Sequence, residues 1–300
     1  MAVNGLIVSP NLTKAPFTSA APERIHSKAF RDLFLDTAYK QFKADNKPVG
    51  PAELTWGEFL SPAGEPFVSA QLYVPAGAEI KAGQKVTLFS VVENPAGEIL
   101  EVHEDAVTMN ASGSDAYADK AFPLAPGSYV ATFGLAADGK VLTARRTPIT
   151  VEAIDATASG ISPVLLSENI KPLDTAWGDM DPFIFGGLKV VPKGDAQFTP
   201  KGDLWYFLEM RNPGMTPEGT PKVRVQIDIS GKTSKGPVVM NFPMSDAEAA
   251  KLKGTKDRYA LGLAIPLESF VPGEYKMKLK IVDTVLNKTY SVEKEFRVRG

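Results

Sequence analysis

Pro272-Gly273-Glu274-Tyr275-Lys276-Met277-Lys278-Leu279-Lys280-Ile281 alternates apolar with charged side chains from Tyr275 onward. A period of two puts Tyr275, Met277, Leu279 and Ile281 on one face of an extended chain and the three lysines on the other. That predicts a half-buried strand of an antiparallel sheet. Val223, Val225, Ile227 and Ile229 alternate in the same way with Lys222, Arg224, Gln226 and Asp228. The Pro-Gly pair ahead of Tyr275 is a turn signal. Pro126-Gly127-Ser128-Tyr129 repeats it, with Ala131, Phe133 and Leu135 as the apolar row. Asp138-Gly139 then suits the positive φ angles of a tight hairpin before a strand near residues 141–151.

The correspondence extends through the chain, as an internal repeat does. Trp56-Gly57-Glu58, Pro66-Phe67-Val68 and Leu72-Tyr73-Val74-Pro75 are answered by Trp177-Gly178-Asp179, Pro182-Phe183-Ile184 and Leu188-Lys189-Val190-Val191-Pro192. Leu88-Phe89-Ser90-Val91-Val92-Glu93-Asn94-Pro95 is answered by Trp205-Tyr206-Phe207-Leu208-Glu209-Met210-Arg211-Asn212-Pro213, and Phe122-Pro123-Leu124 by Ile265-Pro266-Leu267. The Pro-Gly-x-Tyr element before each penultimate strand has the form of the corner turn of an immunoglobulin-like sandwich, in which the hydroxyls of Tyr129 and Tyr275 would bond back across the turn. The expected fold class is therefore all-β: two tandem immunoglobulin-like β-sandwiches behind an N-terminal arm carrying one amphipathic helix. The expected divisions are an arm and helix over 1–55, a first β-sandwich over 56–153, a linker over 154–176 and a second β-sandwich over 177–300. A short helical insertion is expected near 245–254, where Ser245-Asp246-Ala247-Glu248 forms a capping box and Gly254 a stop.

Residues 1–26 are rich in Pro, Ala, Ser and Thr, with one strand-like run, Leu6-Ile7-Val8. Ser27 is a reasonable N-cap, and Phe30, Leu33, Phe34, Ala38 and Phe42 follow with helical spacing to about Ala44. That aromatic stripe must lie on something, either its own first sandwich or a partner. Leu6, Ile7, Val8, Phe30, Phe34 and Phe42 are the candidate interaction residues, because an extended run can add a strand to an exposed sheet edge. The arm thus points to a protein partner or to self-association.

Charge is unevenly shared. Residues 1–180 hold 14 Lys+Arg and 21 Asp+Glu, and residues 181–300 hold 19 and 14, so the halves carry −7 and +5 within a net of −2. Complementary patches favour association. Lys276, Lys278 and Lys280 have a plainer reading, as a solvated sheet face that discourages edge pairing. A sequence pI near 5.9 and the lack of a recognition motif speak against nucleic acid.

The composition excludes much chemistry. Of 300 residues 44% are hydrophobic and 23% charged, the balance of a soluble globular chain, and 25 Gly with 24 Pro suit a protein of many turns. No cysteine is present, so disulfide frameworks, thiolate catalysis and thiolate metal sites are all excluded. His26 and His103 are the only histidines, too few for imidazole-based metal centres. No Gly-x-Ser-x-Gly elbow, Walker pattern or GxGxxG occurs, and Gly186-Gly187 reads as close backbone packing or a bulge. The acidic groups Glu101, Glu104, Asp105 and Asp174, Asp179, Asp181 lack the spacing of a calcium loop. No catalytic, cofactor-binding or metal-ligating residue is nominated, and no cofactor is expected. Tryptophans 56, 177 and 205 read as packing residues, with sugar stacking as the other use. No apolar run approaches the ~20 residues that cross a bilayer, and the start lacks the basic and apolar regions of a signal peptide.

Phe185-Gly186-Gly187-Leu188-Lys189-Val190-Val191-Pro192-Lys193-Gly194-Asp195, with Leu204-Trp205-Tyr206-Phe207 and Arg211-Asn212-Pro213-Gly214, resembles the C-terminal region of uncharacterised secreted bacterial proteins, some grouped under a GWxTD label. The resemblance implies tandem β-sandwiches in an exported protein, periplasmic or extracellular, while the chain as given leaves a cytoplasmic place open. The expected function is that of a non-enzymatic structural or protein-interaction component of an envelope or extracellular assembly. The alternative is a β-sandwich that binds carbohydrate or another ligand.

Overall fold

The computed structural model describes residues 37–45, 47–173 and 177–300. The chain divides into two compact units, one formed by residues up to Trp56 with Pro66–Ile154, the other by Gly57–Glu65 with Asp155–Gly300.

The first unit contains helix α1 (Thr37–Asp45), the start of strand β1 (Glu53–Leu60), which passes into the second unit at Gly57, and strands β2 (Pro66–Val74), β3 (Lys85–Glu93), β4 (Ile99–Thr108), β5 (Asn110–Ser112), β6 (Asp115–Pro123), β7 (Gly127–Ala137) and β8 (Lys140–Val151). Two sheets form, ordered β1-β2-β6-β5 and β4-β3-β7-β8. Val68 and Leu72 of β2 meet Leu88 and Val92 of β3 and Phe133 and Leu135 of β7 in one buried cluster between them. Apolar rows on two sheets can leave water only by facing each other, which makes a sandwich. Asp138 and Gly139 take φ of 50° and 73° at the β7–β8 turn, the left-handed pair that a two-residue hairpin requires.

The opposite row of β3, Phe89 and Val91, is apolar too, and α1 covers it. Phe42 is buried against Phe89, Val91, Ala136, Val141 and Ala144. Lys43 pairs with the buried carboxylate of Glu93, which also accepts from Arg146 Nη2 at 2.7 Å. Phe42, a candidate for docking on a partner, is thus consumed within its own unit.

The second unit contains β9 (Gly160–Ile161), β10 (Leu165–Pro172), β11 (Ile184–Phe185), β12 (Leu188–Pro192), β13 (Gln197–Phe198), β14 (Asp203–Arg211), β15 (Val223–Thr233), β16 (Gly236–Ala247), β17 (Ala250–Lys251), β18 (Arg258–Pro266), β19 (Gly273–Asp283) and β20 (Lys288–Val298). One sheet runs β11-β12-β10-β14-β18-β17, with β9 beside β14; the other runs β13-β20-β19-β15-β16. All pairings are antiparallel except β13 with β20. The alternating rows read from sequence meet in register, Ile227 opposite Leu279 and Ile229 opposite Met277, and bury against Leu204, Tyr206 and Leu208 of β14.

Three expectations need correction. Residues 154–176 are not a linker, because β9 and β10 in that span are strands of the second unit, where Leu165 and Leu166 pair with Phe207 and Tyr206. The helix near 245–254 is absent. Ser245, Asp246 and Ala247 extend β16 opposite Val225, Arg224 and Val223, and Ala250–Lys251 forms β17. A capping box is worth only about 0.5–2 kcal/mol and a ten-residue helix is marginal, so the need to cover the β15 row prevails. Lys276, Lys278 and Lys280 do line an exposed face, but β19 lies between β15 and β20 and guards no edge.

Gly57–Glu65 is held in the second unit by buried contacts. Phe59 packs edge-on to Phe185 and Phe183, with centroids 4.9 and 6.1 Å away. Arg258, itself buried beside Glu209 at 3.7 Å, donates to the carbonyls of Leu60, at 2.6 Å, and Ser61.

Phe42→Ala should destabilise the first unit by about 3–5 kcal/mol, the usual cost of emptying a buried phenylalanine site, as read from its denaturant midpoint. The Tyr275 hydroxyl donates to Val271 O at 2.5 Å. Removing it with Tyr275→Phe should cost the second unit about 0.5–1.5 kcal/mol. An unchanged midpoint would make that tyrosine an ordinary strand residue.

Candidate functional site

The sequence-nominated residues do not gather at one place. Leu6, Ile7, Val8, Phe30 and Phe34 lie outside the described residues. Phe42, on α1, is buried against Phe89 and Val91, and Tyr129 and Tyr275 spend their hydroxyls on Ala125 O, at 2.8 Å, and Val271 O. The glycines 186 and 187 have φ of 56° and 85°. A Cβ on Gly186 would stand 2.5 Å from Lys253 N, and one on Gly187 would stand 2.9 Å from the Trp177 ring. Both are positions of close approach where only glycine fits without strain.

The first unit gathers polar side chains around the acidic run Glu101, Glu104 and Asp105. On β4, Glu101, His103 and Asp105 stand opposite Val92, Ser90 and Leu88, so all three share the inner face. Glu104 stands opposite Phe89 on the other face. Lys120, projecting from β6, pairs with Asp105, and the His103 ring lies 4.8 Å from that of Phe122. A serine, a histidine and an acid therefore stand close across two strands. Ser90 Oγ and His103 Nε2 nonetheless each lack a hydrogen-bond partner among the described residues. Burial, followed by the charge of Lys120, pushes the His103 pKa down to about 3. An imidazole whose basicity has fallen so far is a poor general base near pH 7, and the group reads as a buried polar seam rather than a nucleophile with its base. The missing signal was the register of β3 with β4, which no single-strand period reveals.

The second unit presents a groove of about 840 Å³ across its five-stranded sheet, with Lys232, Val239, Glu274, Lys276, Glu295 and Arg297 among the lining residues. Its charges are largely spent on each other: Arg297 pairs with Glu274, and Lys276 lies 3.4 Å from Glu295 and 3.7 Å from Glu293. The groove thus suits a polar ligand of little net charge better than a phosphate or a polyanion. Among the described residues no three His, Asp or Glu side chains converge as a metal-ligand set. No helix among them is long and apolar enough to cross a membrane. Deeper in this unit, burial raises the Glu209 carboxyl above its ordinary range against the opposing pull of Arg258 and Arg211. Those groups belong to the packing of Gly57–Glu65 and offer no open site.

No protein-family model matches the chain, and no curated protein does. Among solved structures the chain is similar to the crystal structure of red sea bream transglutaminase, at 10% identity and a TM-score of 0.23, over 87% of this chain and 33% of that one. It spans about a third of that protein's length.

The buried imidazole makes stability depend on pH. Above pH 6.5 His103 is neutral folded or unfolded and contributes no slope. Below it the unfolded chain takes up a proton that the folded one refuses until about pH 3, so stability falls as the pH drops through that window. The first unit should lose about 1.4 kcal/mol for each pH unit in that range. His103→Phe should flatten that slope; equal slopes in urea melts of the variant and the parent would show that the imidazole titrates normally.

Proposed function

We propose that the protein is a non-enzymatic structural or protein-interaction component, built from two immunoglobulin-like sandwiches and serving in a bacterial envelope or extracellular assembly. Strand order supports the sandwich assignment. The first unit has β1-β2-β6-β5 and β4-β3-β7-β8; with the short outlying strands set aside, the second has β10-β14-β18-β17 and β16-β15-β19-β20. Taken in chain order the strands occupy matching places, which sets β2 with β14 and β3 with β15 and so corrects the sequence matches of residues 72–75 with 188–192 and of residues 88–95 with 205–213. In both, a tyrosine early in the penultimate strand bonds to the carbonyl four residues before it, as in the corner of that fold.

The observation that carries the interaction reading is apolar surface on the second unit. Val239, Phe242 and Leu263 are 69%, 41% and 51% exposed, all on β16 and β18 at the margins of the sheets. Single exposed apolar residues such as Val239, on the outer face of β16, are ordinary, but Phe242 and Leu263 on the inner rows of β16 and β18, beside open strand edges, are what an association surface offers. The resemblance to secreted bacterial proteins supports an exported setting.

A second reading, a module that binds carbohydrate or another ligand, is favoured by the groove on the five-stranded sheet. Aromatic platforms do little for it, because Trp56 packs on the first core and Trp177 lies over Gly187.

Sedimentation across a dilution series, with thermal unfolding in the presence of a glycan panel, separates the two. The interaction reading expects association that grows with concentration and a melting temperature indifferent to glycans. A chain that stays monomeric throughout and melts higher with one glycan would replace it with the second reading.

A further inference from the structure

The two units diverge at one place in their shared strand order. Because Phe122-Pro123-Leu124 corresponds to Ile265-Pro266-Leu267, Lys120 corresponds to Leu263. His103 stands opposite Ser90, which stands opposite Phe133, four residues after Tyr129. Phe242 stands opposite Ile227, which stands opposite Leu279, four residues after Tyr275. His103 therefore corresponds to Phe242. In the first unit these positions shut the seam between the sheets: the ring of His103 is 3% exposed on Phe122, and Lys120 reaches Asp105. In the second unit they are a phenylalanine and a leucine, left 41% and 51% exposed on the inner rows of β16 and β18.

The strand edge beside this open seam is unguarded as well. β17 pairs only with Tyr259 and Ala260, so among the described residues β18 has no partner strand on that side from Leu261 to Pro266. β16 carries Pro237 and Pro243, which have no N–H to offer an incoming strand. Leu261-Gly262-Leu263-Ala264-Ile265 holds neither a charge nor a proline, the usual devices that keep an edge from pairing.

We propose that a second copy of the chain covers this seam, with β18 pairing antiparallel to its own counterpart about a two-fold axis at Leu263. This rests on the interaction reading above and names its partner. The five residues are self-complementary about that axis: Leu261 falls opposite Ile265, Gly262 opposite Ala264 and Leu263 opposite itself. An isologous contact demands this property, since each residue meets the same patch on the other subunit. No like charges meet within the pairing, whereas the corresponding stretch of the first unit, with Asp119 and Lys120, carries charge on its edge. The union extends one sheet across both subunits and takes both copies of Leu263 out of water, with backbone hydrogen bonds supplying register.

The chain has no cysteine, so one introduced thiol reports cleanly. The full chain, Leu263→Lys, Leu263→Cys and a control Val285→Cys, at an exposed site on the β19–β20 turn, are compared by sedimentation and by mild oxidation. Lysine stands at the corresponding place in the first unit, so Leu263→Lys is compatible with the strand, and an unchanged circular dichroism spectrum and melting temperature check this. The expected result is a dimer whose dissociation constant rises about tenfold or more in Leu263→Lys. Leu263→Cys should form a covalent dimer that Val285→Cys does not, because a two-fold at residue 263 brings the two thiols within disulfide reach. An associating chain in which Leu263→Lys changes nothing and Leu263→Cys fails to cross-link overturns this proposal and leaves the interaction reading standing. Association lost in Leu263→Lys without any cross-link puts a different segment on the seam and also overturns it. A full chain monomeric at every concentration overturns both.

Discussion

Val223, Val225, Ile227 and Ile229 must leave water on one side of β15 while Arg224, Gln226 and Asp228 remain in it on the other, and the rest of the second unit follows from that demand. A strand cannot bury one row alone. It pairs with β19, whose Tyr275, Met277, Leu279 and Ile281 form a row in the same register, and the joined face then needs a second sheet. β14 supplies it with Leu204, Tyr206 and Leu208. The first unit meets the same demand with Leu88 and Val92 facing Val68 and Leu72, then faces it again, because Phe89 and Val91 make the outer row apolar too. Phe42 of α1 answers that second requirement.

A sandwich that satisfies its faces still has seams and edges, and here the units part ways. The first closes a seam with polar groups, placing His103 on Phe122 and Lys120 on Asp105. Such closure is costly for the groups involved, since a buried imidazole must stay neutral, but it leaves a surface that repels strand addition. The second unit puts Phe242 and Leu263 at the same places and leaves them half in water. The proposed pairing of β18 with a second copy would take Leu263 out of water.

Buried polarity elsewhere is structural. Arg258 lies between the Glu209 carboxylate and the carbonyls of Leu60 and Ser61, so a charge that would be ruinous alone is distributed over acceptors that themselves need donors. This arrangement ties Gly57–Glu65 to strands nearly two hundred residues further along the chain. Asp283 does comparable work at the end of β19, accepting from Gly214 N at 2.7 Å and from the turn amides of Val285 and Leu286.

The sequence alone determined the strands with a clean period of two, the Asp138-Gly139 hairpin, the two Pro-Gly-x-Tyr turns and the all-β class, because each depends on residues within a few positions of one another. Tertiary structure decided what depends on partners far along the chain. Residues 245–251 carry a helix-start signal, yet Ser245, Asp246 and Ala247 extend β16 along the edge that β15 offers, and Ala250–Lys251 pair with β18. Residues 160–172 look like a connector until β14 pairs with them. The polar seam was invisible for the same reason: the register of β3 with β4 puts Ser90 beside His103, and Lys120 reaches Asp105 from β6 of the other sheet. The exposure of Leu263 could not be read from its apolar neighbours either. A strand's period tells which residues share a face, but whether that face is covered depends on the length of the neighbouring strand, and β17 is too short to reach it.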